Sequence, residues 1–306
     1  MNIGVTGTAV IDTIDTADGI RTCDMGGIYY AVHTLSALLP SDARLHPVIV
    51  VGADAIETLR RDWSGLPGVE LDGVKRVVAL NNRVHVEYHA DGGRDETQAG
   101  GLPPLAPEDL APWPARLDAW LWNLVSGTEV ERSTFDALKR AFEGPLYLDL
   151  HSLCLEPASD RARRPRQPLD WEGWVTGVTW LQLNAAEAAL LWTGEPEPLD
   201  RESVAELAAH VHGLDVRGVL VTYGADGAAW YGAEGDVVEC PGRSVAAVDP
   251  TGCGDVFGAA WLALHCGRGQ SPEQALEGAL VAATTAATIR GTSQLHSTLK
   301  EAVHVR

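Results

Sequence analysis

The run Asp249-Pro250-Thr251-Gly252-Cys253-Gly254-Asp255 sets two glycines around one small residue, directly before the apolar stretch 256–264. Where a loop turns into a helix, the first N–H groups lack intrahelical acceptors and converge near the positive end of the dipole, which suits an anion. A carboxylate such as Asp255 would repel that anion unless its task is to take a proton from a nucleophile attacking it. Gly252, Cys253, Gly254 and Asp255 are therefore the candidate catalytic residues, and the chemistry they suit is phosphoryl transfer. The bare Gly-x-Gly also reads as an ordinary turn, with Asp255 as a first-turn capping residue.

Two further groups carry polar chemistry beside apolar runs. Asn184 and Glu187 follow the run 178–183, and their i, i+3 spacing puts an amide oxygen and a carboxylate on one side of a first helical turn. Such hard oxygens suit a hydrated Mg²⁺, although Asn followed three residues later by Glu is also a capping-box variant. Asp12 closes the run 3–10, a carboxylate expected at the carboxyl end of a parallel strand, the edge where open α/β sheets bind ligands. Gly26-Gly27 precedes a helix with apolar residues at Ile28, Ala31, Val32 and Leu35, and paired glycines let a ligand come close to the backbone.

The elements that must position these residues alternate strand and helix. Strands are expected at 3–10, 46–51, 120–125, 146–150, 178–183 and 218–222, with helices at 54–63, 133–142 and 271–289. Residues 13–25 and 74–100 break that rhythm: both are polar or alternating, with Asp-Gly turns at Asp18-Gly19 and Asp91-Gly92, and read as hairpins of a small sheet. The Pro-rich stretch 102–114 reads as a connector, because the alternation resumes after it. The expected fold is a three-layer, doubly wound, mainly parallel sheet in one domain spanning 1–306, with the hairpins inserted as a β-sheet lid. Arg161, Arg163, Arg164 and Arg166 read as a solvated loop before a phosphate contact.

An excess of 42 carboxylates over 23 Lys and Arg, net −19, disfavours nucleic acid and anionic membranes as partners. Five scattered cysteines without C-x-x-C spacing point to reduced thiols rather than disulfides or zinc. Without a basic leader or a long apolar run, a cytoplasmic protein is expected. Gly4-Val5-Thr6-Gly7 lacks a G-x-G-x-x-G run, which sets aside a dinucleotide oxidoreductase. His85 and His89 share a strand face without a third metal ligand at usable spacing.

Taken as a whole, 249–257 resembles the ribokinase-like (PfkB) sugar-kinase signature D-T-x-G-A-G-D-x-F, with Asp249, Thr251, Gly252, Gly254, Asp255 and Phe257 in register. Gly26-Gly27, Asn184-x-x-Glu187 and Val221-Thr222-x-Gly224-x-x-Gly227 resemble three further motifs of that family, in the family's order. The resemblance implies transfer of the ATP γ-phosphoryl group to a hydroxyl, Asp255 as base, Mg²⁺ at Asn184 and Glu187, and a potassium ion near Asp249, Thr251 and the 290–293 loop. It also implies acceptor contacts from Asp12, Gly26, Gly27 and Tyr30, nucleotide contacts from Asn184, Thr222, Gly224, Gly227 and Gly254, and a lid through which a homodimer could form. Three positions depart from the family pattern, where Asn is common: Ala31, His151 and Leu280. Asp12, Asp24, Tyr29 and Tyr30 line the expected acceptor side with few cations, which favours an unphosphorylated sugar, cyclitol or nucleoside. The alternative is a nucleotide or sugar sensor that keeps the fold without turnover.

Overall fold

The computed structural model describes residues 1–90, 93–157 and 162–303. The expected turn residues Asp91 and Gly92, and Arg161 of the basic loop, lie outside the described residues. The strands in chain order are β1 (Asn2–Thr6), β2 (Ala9–Asp15), β3 (Arg21–Gly27), β4 (Arg44–Pro47), β5 (Ile49–Gly52), β6 (Val74–Val77) and β7 (Arg83–Tyr88). They continue with β8 (Arg94–Ala99), β9 (Ala119–Asn123), β10 (Leu146–Asp149), β11 (Trp180–Asn184), β12 (Gly218–Thr222), β13 (Gly227–Gly232) and β14 (Val237–Pro241).

Eight strands form one sheet in the order β14-β13-β12-β11-β10-β9-β1-β4, parallel from β12 to β4 and antiparallel beyond β12. β1, β9 and β10 are buried almost throughout, as continuous apolar runs should be in a sheet covered on both faces. One face packs under the helices Ile28–Leu38, Cys253–Leu262, Pro272–Ala286 and Leu295–Val303, with Trp261 in ring contact with both Trp180 and Trp230. The other packs under Arg132–Ala141, Ala185–Thr193 and Arg201–His212, around Trp122, Phe135 and Trp174.

A second sheet of four strands runs β3-β2-β7-β8, with β2 and β7 parallel and the outer pairs antiparallel. Its Val10, Ile14, Val84 and Val86 cluster with Val125, which follows β9 of the large sheet. Three expectations need correction. The run 3–10 is two strands: the chain breaks at Gly7-Thr8, and Asp12 lies mid-strand in β2 of the smaller sheet, not at the end of a strand in the large one. The run 46–51 also divides, β4 in the large sheet and β5 in a separate pair with β6, so 74–77 is not part of the four-stranded sheet. Among the described arginines of the basic loop, Arg163 is 7% exposed rather than solvated: its guanidinium bonds Glu96, Gln98 and Ser152, and its N–H bonds the Glu96 carbonyl.

Candidate active site

Four neighbouring parallel strands end at one edge in Asn123 (β9), Asp149 (β10), Asn184 (β11) and Thr222 (β12). A cleft of about 430 Å³ opens there. Asp12, Gly27, Tyr30, Arg94, Glu96 and Val84 line it toward the smaller sheet, and Asn184, Glu187, Thr222, Gly224, Gly227 and Leu280 line it on another side. Between them lie Thr251, Gly252, Cys253, Gly254 and Asp255. Residues far apart in the sequence thus meet in one volume.

The loop takes its shape from Gly252, whose φ of 78° is left-handed backbone that a side chain disfavours. A Cβ there would also sit 2.5 Å from the ring of Tyr30. Thr251 N–H donates to Asp249 Oδ1 at 2.9 Å, which fixes the turn, and Cys253 N–H reaches the Pro250 carbonyl at 3.3 Å. Gly254 and Asp255 then begin the helix Cys253–Leu262 with N–H groups that find no acceptor among the described residues. The turn therefore leaves the Gly254 and Asp255 N–H groups open, with the Cys253 N–H partly engaged by its own turn.

Asp255 is held by Asn123, whose Nδ2 donates to Oδ1 at 2.6 Å. Burial raises the Asp255 pKa; the charge of His151, the Asn123 hydrogen bond and the charge of Arg94 pull the other way. A carboxylate raised above its usual range and aimed into a cleft has the character of a general base. Gln182 braces the loop from below: its Nε2 donates to the Gly254 carbonyl at 3.0 Å and to Asp149 Oδ2 at 3.2 Å, while its Oε1 accepts from Tyr147 at 2.7 Å. Neither Asn123 nor Gln182 was evident in the sequence. Both are amides in otherwise apolar strands, Asn123 at the end of β9 and Gln182 in the middle of β11, and the signal that could have found them is a polar residue within a buried run.

Asp12 is 6% exposed, and its carboxylate occupies the space a Cβ on Gly26 would need. The paired glycines thus admit Asp12 itself at Gly26, and only Gly27 of the two lines the cleft. Burial, with Asp255, Glu96, Asp249 and Asp24 nearby, pushes the Asp12 pKa up to about 8. Tyr30 lines the cleft as expected, but Tyr29 does not: it is 1% exposed and packs on Trp63, with ring centroids 4.8 Å apart. Asp24 faces a neighbouring hollow of about 310 Å³ that shares Asp12 and Tyr30 with the cleft.

Asn184 and Glu187 form the reciprocal cap. Glu187 N–H donates to Asn184 Oδ1 at 2.9 Å, and Asn184 N–H donates to Glu187 Oε2 at 2.8 Å. Glu187 Oε1 is left over and stands 3.7 Å from His151 Nδ1. His151 has a φ of 31°; burial disfavours its charge, but Glu187, Asp149 and Asp255 outweigh that and lift its pKa to about 10. His85 and His89 are paired with Asp15 and Asp95, and among the described residues no group of three such side chains is placed to hold a metal ion.

Residues 159–299 match the model of the pfkB family carbohydrate kinases. Among curated proteins none matches the chain. Among solved structures, the sulfate complex of a pyrophosphate-dependent kinase in the ribokinase family is similar over 98% of this chain and 99% of that one, with 19% identity and a TM-score of 0.80. A pyrophosphate-dependent kinase of the ribokinase family complexed with a pyrophosphate analogue and myo-inositol gives 98% and 99% coverage, 19% identity and a TM-score of 0.78. Ribokinase from Arabidopsis thaliana complexed with ribose and ATP gives 99% and 99%, 22% and 0.75. The chain thus has a ribokinase fold over its length, and its residues 159–299 are similar to the pfkB family carbohydrate kinases.

Proposed function

We propose that the chain transfers the γ-phosphoryl group of ATP to a hydroxyl of an unphosphorylated sugar, cyclitol or nucleoside. The observation that carries this reading is Asp255: a buried carboxylate with a raised pKa, oriented by Asn123, on the first turn of a helix whose Gly254 and Asp255 N–H groups are free to bind phosphoryl oxygens. The acceptor hydroxyl gives its proton to Asp255 as its oxygen attacks the phosphorus, and the N–H groups take up charge on the oxygens in transit. Asp12, Gly27, Tyr30 and Glu96 orient the acceptor. These four residues offer hydrogen-bonding groups and no cation, which favours hydroxyl groups over an anionic substrate.

The donor lies along Asn184, Thr222, Gly224 and Gly227. Glu187 Oε1, which the cap leaves over, and the Asn184 amide fit a hydrated Mg²⁺ held through its waters. The chemistry the ion supplies is neutralisation of donor phosphate charge. A potassium requirement at Asp249 and Thr251 belongs to the same proposal and is read from the rate with and without K⁺. The smaller sheet acts as the lid that keeps water from the phosphoryl group. A homodimer through it would use β3, since the main chain of β8 is already engaged at Glu96 by Arg163.

A second reading of the donor has two observations behind it. Two similar structures are of pyrophosphate-dependent kinases, and the cleft wall at Leu280 and Ala283 offers a base no polar side chain. The test offers ATP and, separately, pyrophosphate with a pooled panel of sugars, cyclitols and nucleosides, products being read by mass spectrometry. One phosphorylated product is expected with ATP. Asp255→Asn should lower its formation about 10³-fold while ADP affinity stays within about threefold. Retention of more than roughly a tenth of the rate would remove Asp255 from the base's role.

A further inference from the structure

The strands β7 and β8 carry two side chains, Tyr88 and Arg94, that the reading above leaves without a task. Tyr88, the last residue of β7, has its hydroxyl 2.9 Å from Oγ1 of Thr251, at the entrance to the Gly252–Gly254 loop. Directly across the ladder stands Arg94, the first residue of β8, which lines the cleft. Two residues further along the same strand, and so on the same face, Glu96 lines it too and pairs with the buried Arg163 at 3.0 Å.

Arg94 differs from its neighbours. Arg83 is paired with Asp54 and Arg163 with Glu96, whereas among the described residues no carboxylate lies within ion-pair distance of the Arg94 guanidinium. An unpaired guanidinium lining a cleft that also holds Asp12, Asp149, Glu187 and Asp255 is a cation kept for an anion that arrives with substrate. The Arg94 charge is felt at Asp255, so the anion it awaits is the one Asp255 faces, the phosphoryl group of the donor. The charge of Arg94 already reaches Asp255, whose pKa it lowers against the effect of burial.

We propose that Arg94 is a catalytic residue of the phosphoryl transfer, its guanidinium closing on the group held by the Gly252–Gly254 loop while the Tyr88–Thr251 and Glu96–Arg163 contacts fix its strand. The proposal rests on the phosphoryl-transfer reading. In the step, the acceptor oxygen forms its bond to phosphorus as the terminal bridging P–O bond of ATP breaks. ADP leaves with the electron pair, and the hydroxyl proton goes to Asp255. Arg94 makes and breaks no bond; it balances charge on the three oxygens in transit, the place where an added arginine acts most strongly.

The test needs no knowledge of the acceptor. ADP with Mg²⁺ is titrated by tryptophan fluorescence with and without aluminium fluoride, a mimic of the phosphoryl group in transit, on the wild-type protein, Arg94→Ala, Arg94→Lys and Tyr88→Phe. Aluminium fluoride should tighten ADP on the wild type by about 100-fold or more, and Arg94→Ala should lose that tightening while keeping its affinity for ADP alone. Arg94→Lys, which keeps the charge without the fork, should fall between, and Tyr88→Phe should lose part of the effect. Equal tightening in wild type and Arg94→Ala would overturn the role of Arg94 and leave the kinase reading standing. No tightening in the wild type would overturn both.

Discussion

Asp12 carries a conflict between binding and stability that one substitution can expose. Its pKa is raised to about 8 by burial and by the carboxylates around it. For an acid raised in this way, the native state keeps a proton that the unfolded chain has lost between about pH 4 and pH 8, so stability falls as pH rises through that window. Asp12→Asn should therefore melt higher than the wild type at pH 8, by something on the order of 2 kcal/mol, with the gap closing toward pH 4. Thermal melts at the two pH values check this; a gap independent of pH would refute it. The same substitution should raise the acceptor KM about tenfold or more, because a carboxyl group in contact with hydroxyls is lost. Asp12, Asp255 and Glu187 were legible because type and spacing mark them. Arg94, Glu96, Asn123 and Gln182 were not: the first two stand in a strand that is polar almost throughout and the others among apolar residues, and their meaning arises only when the sheets bring distant strands together.

The helix Ile28–Leu38 shows what an element costs when it is buried nearly all round. His33 on it is 6% exposed, among the described residues its two ring nitrogens have no hydrogen-bond partner, and it stacks on Tyr29 at 6.0 Å. Burial, with His296 close by, drops its pKa to about 4. For a base depressed in this way, the unfolded chain takes up a proton below about pH 6.5 that the native state refuses until about pH 4, so stability is lost as pH falls through that range. His33→Phe should flatten this acid limb by up to about 3 kcal/mol, measured by urea unfolding between pH 7 and pH 4. An unchanged slope would place the acid sensitivity elsewhere. This helix was legible from its 3.6-residue period and the glycines before it. The division of 3–10 into β1 and β2 was not, since both strands are apolar enough at their junction to read as one, and only pairing partners in different sheets separate them.

At the scale of the molecule, the parallel sheet and the order of motifs along it were readable because buried strands are continuous apolar runs separated by helices. The outline of the smaller sheet was read less well. Its strands come from 9–27 and 83–99, and the alternating pattern of 74–77 looks the same whether it pairs with β5 or with β7. The net charge of −19 acts on the whole structure as self-repulsion. Raising NaCl from about 10 mM to about 300 mM shortens the Debye length from about 30 Å to about 6 Å and should raise the Tm by several degrees. A flat or falling Tm would mean that the ion pairs at the surface outweigh the repulsion.

The contact of Arg163 with β8 has a consequence during synthesis. The outer strand of the smaller sheet receives its buried cation, and its main-chain partner at Glu96, from a residue 67 positions further on. A ribosome exposes the chain from its N-terminus, so residues 83–99 emerge with Glu96 still lacking its counter-charge, and remain so until Arg163 leaves the exit tunnel. At about 5–20 residues per second that interval lasts several seconds, long enough for a folding factor to find the unfinished edge.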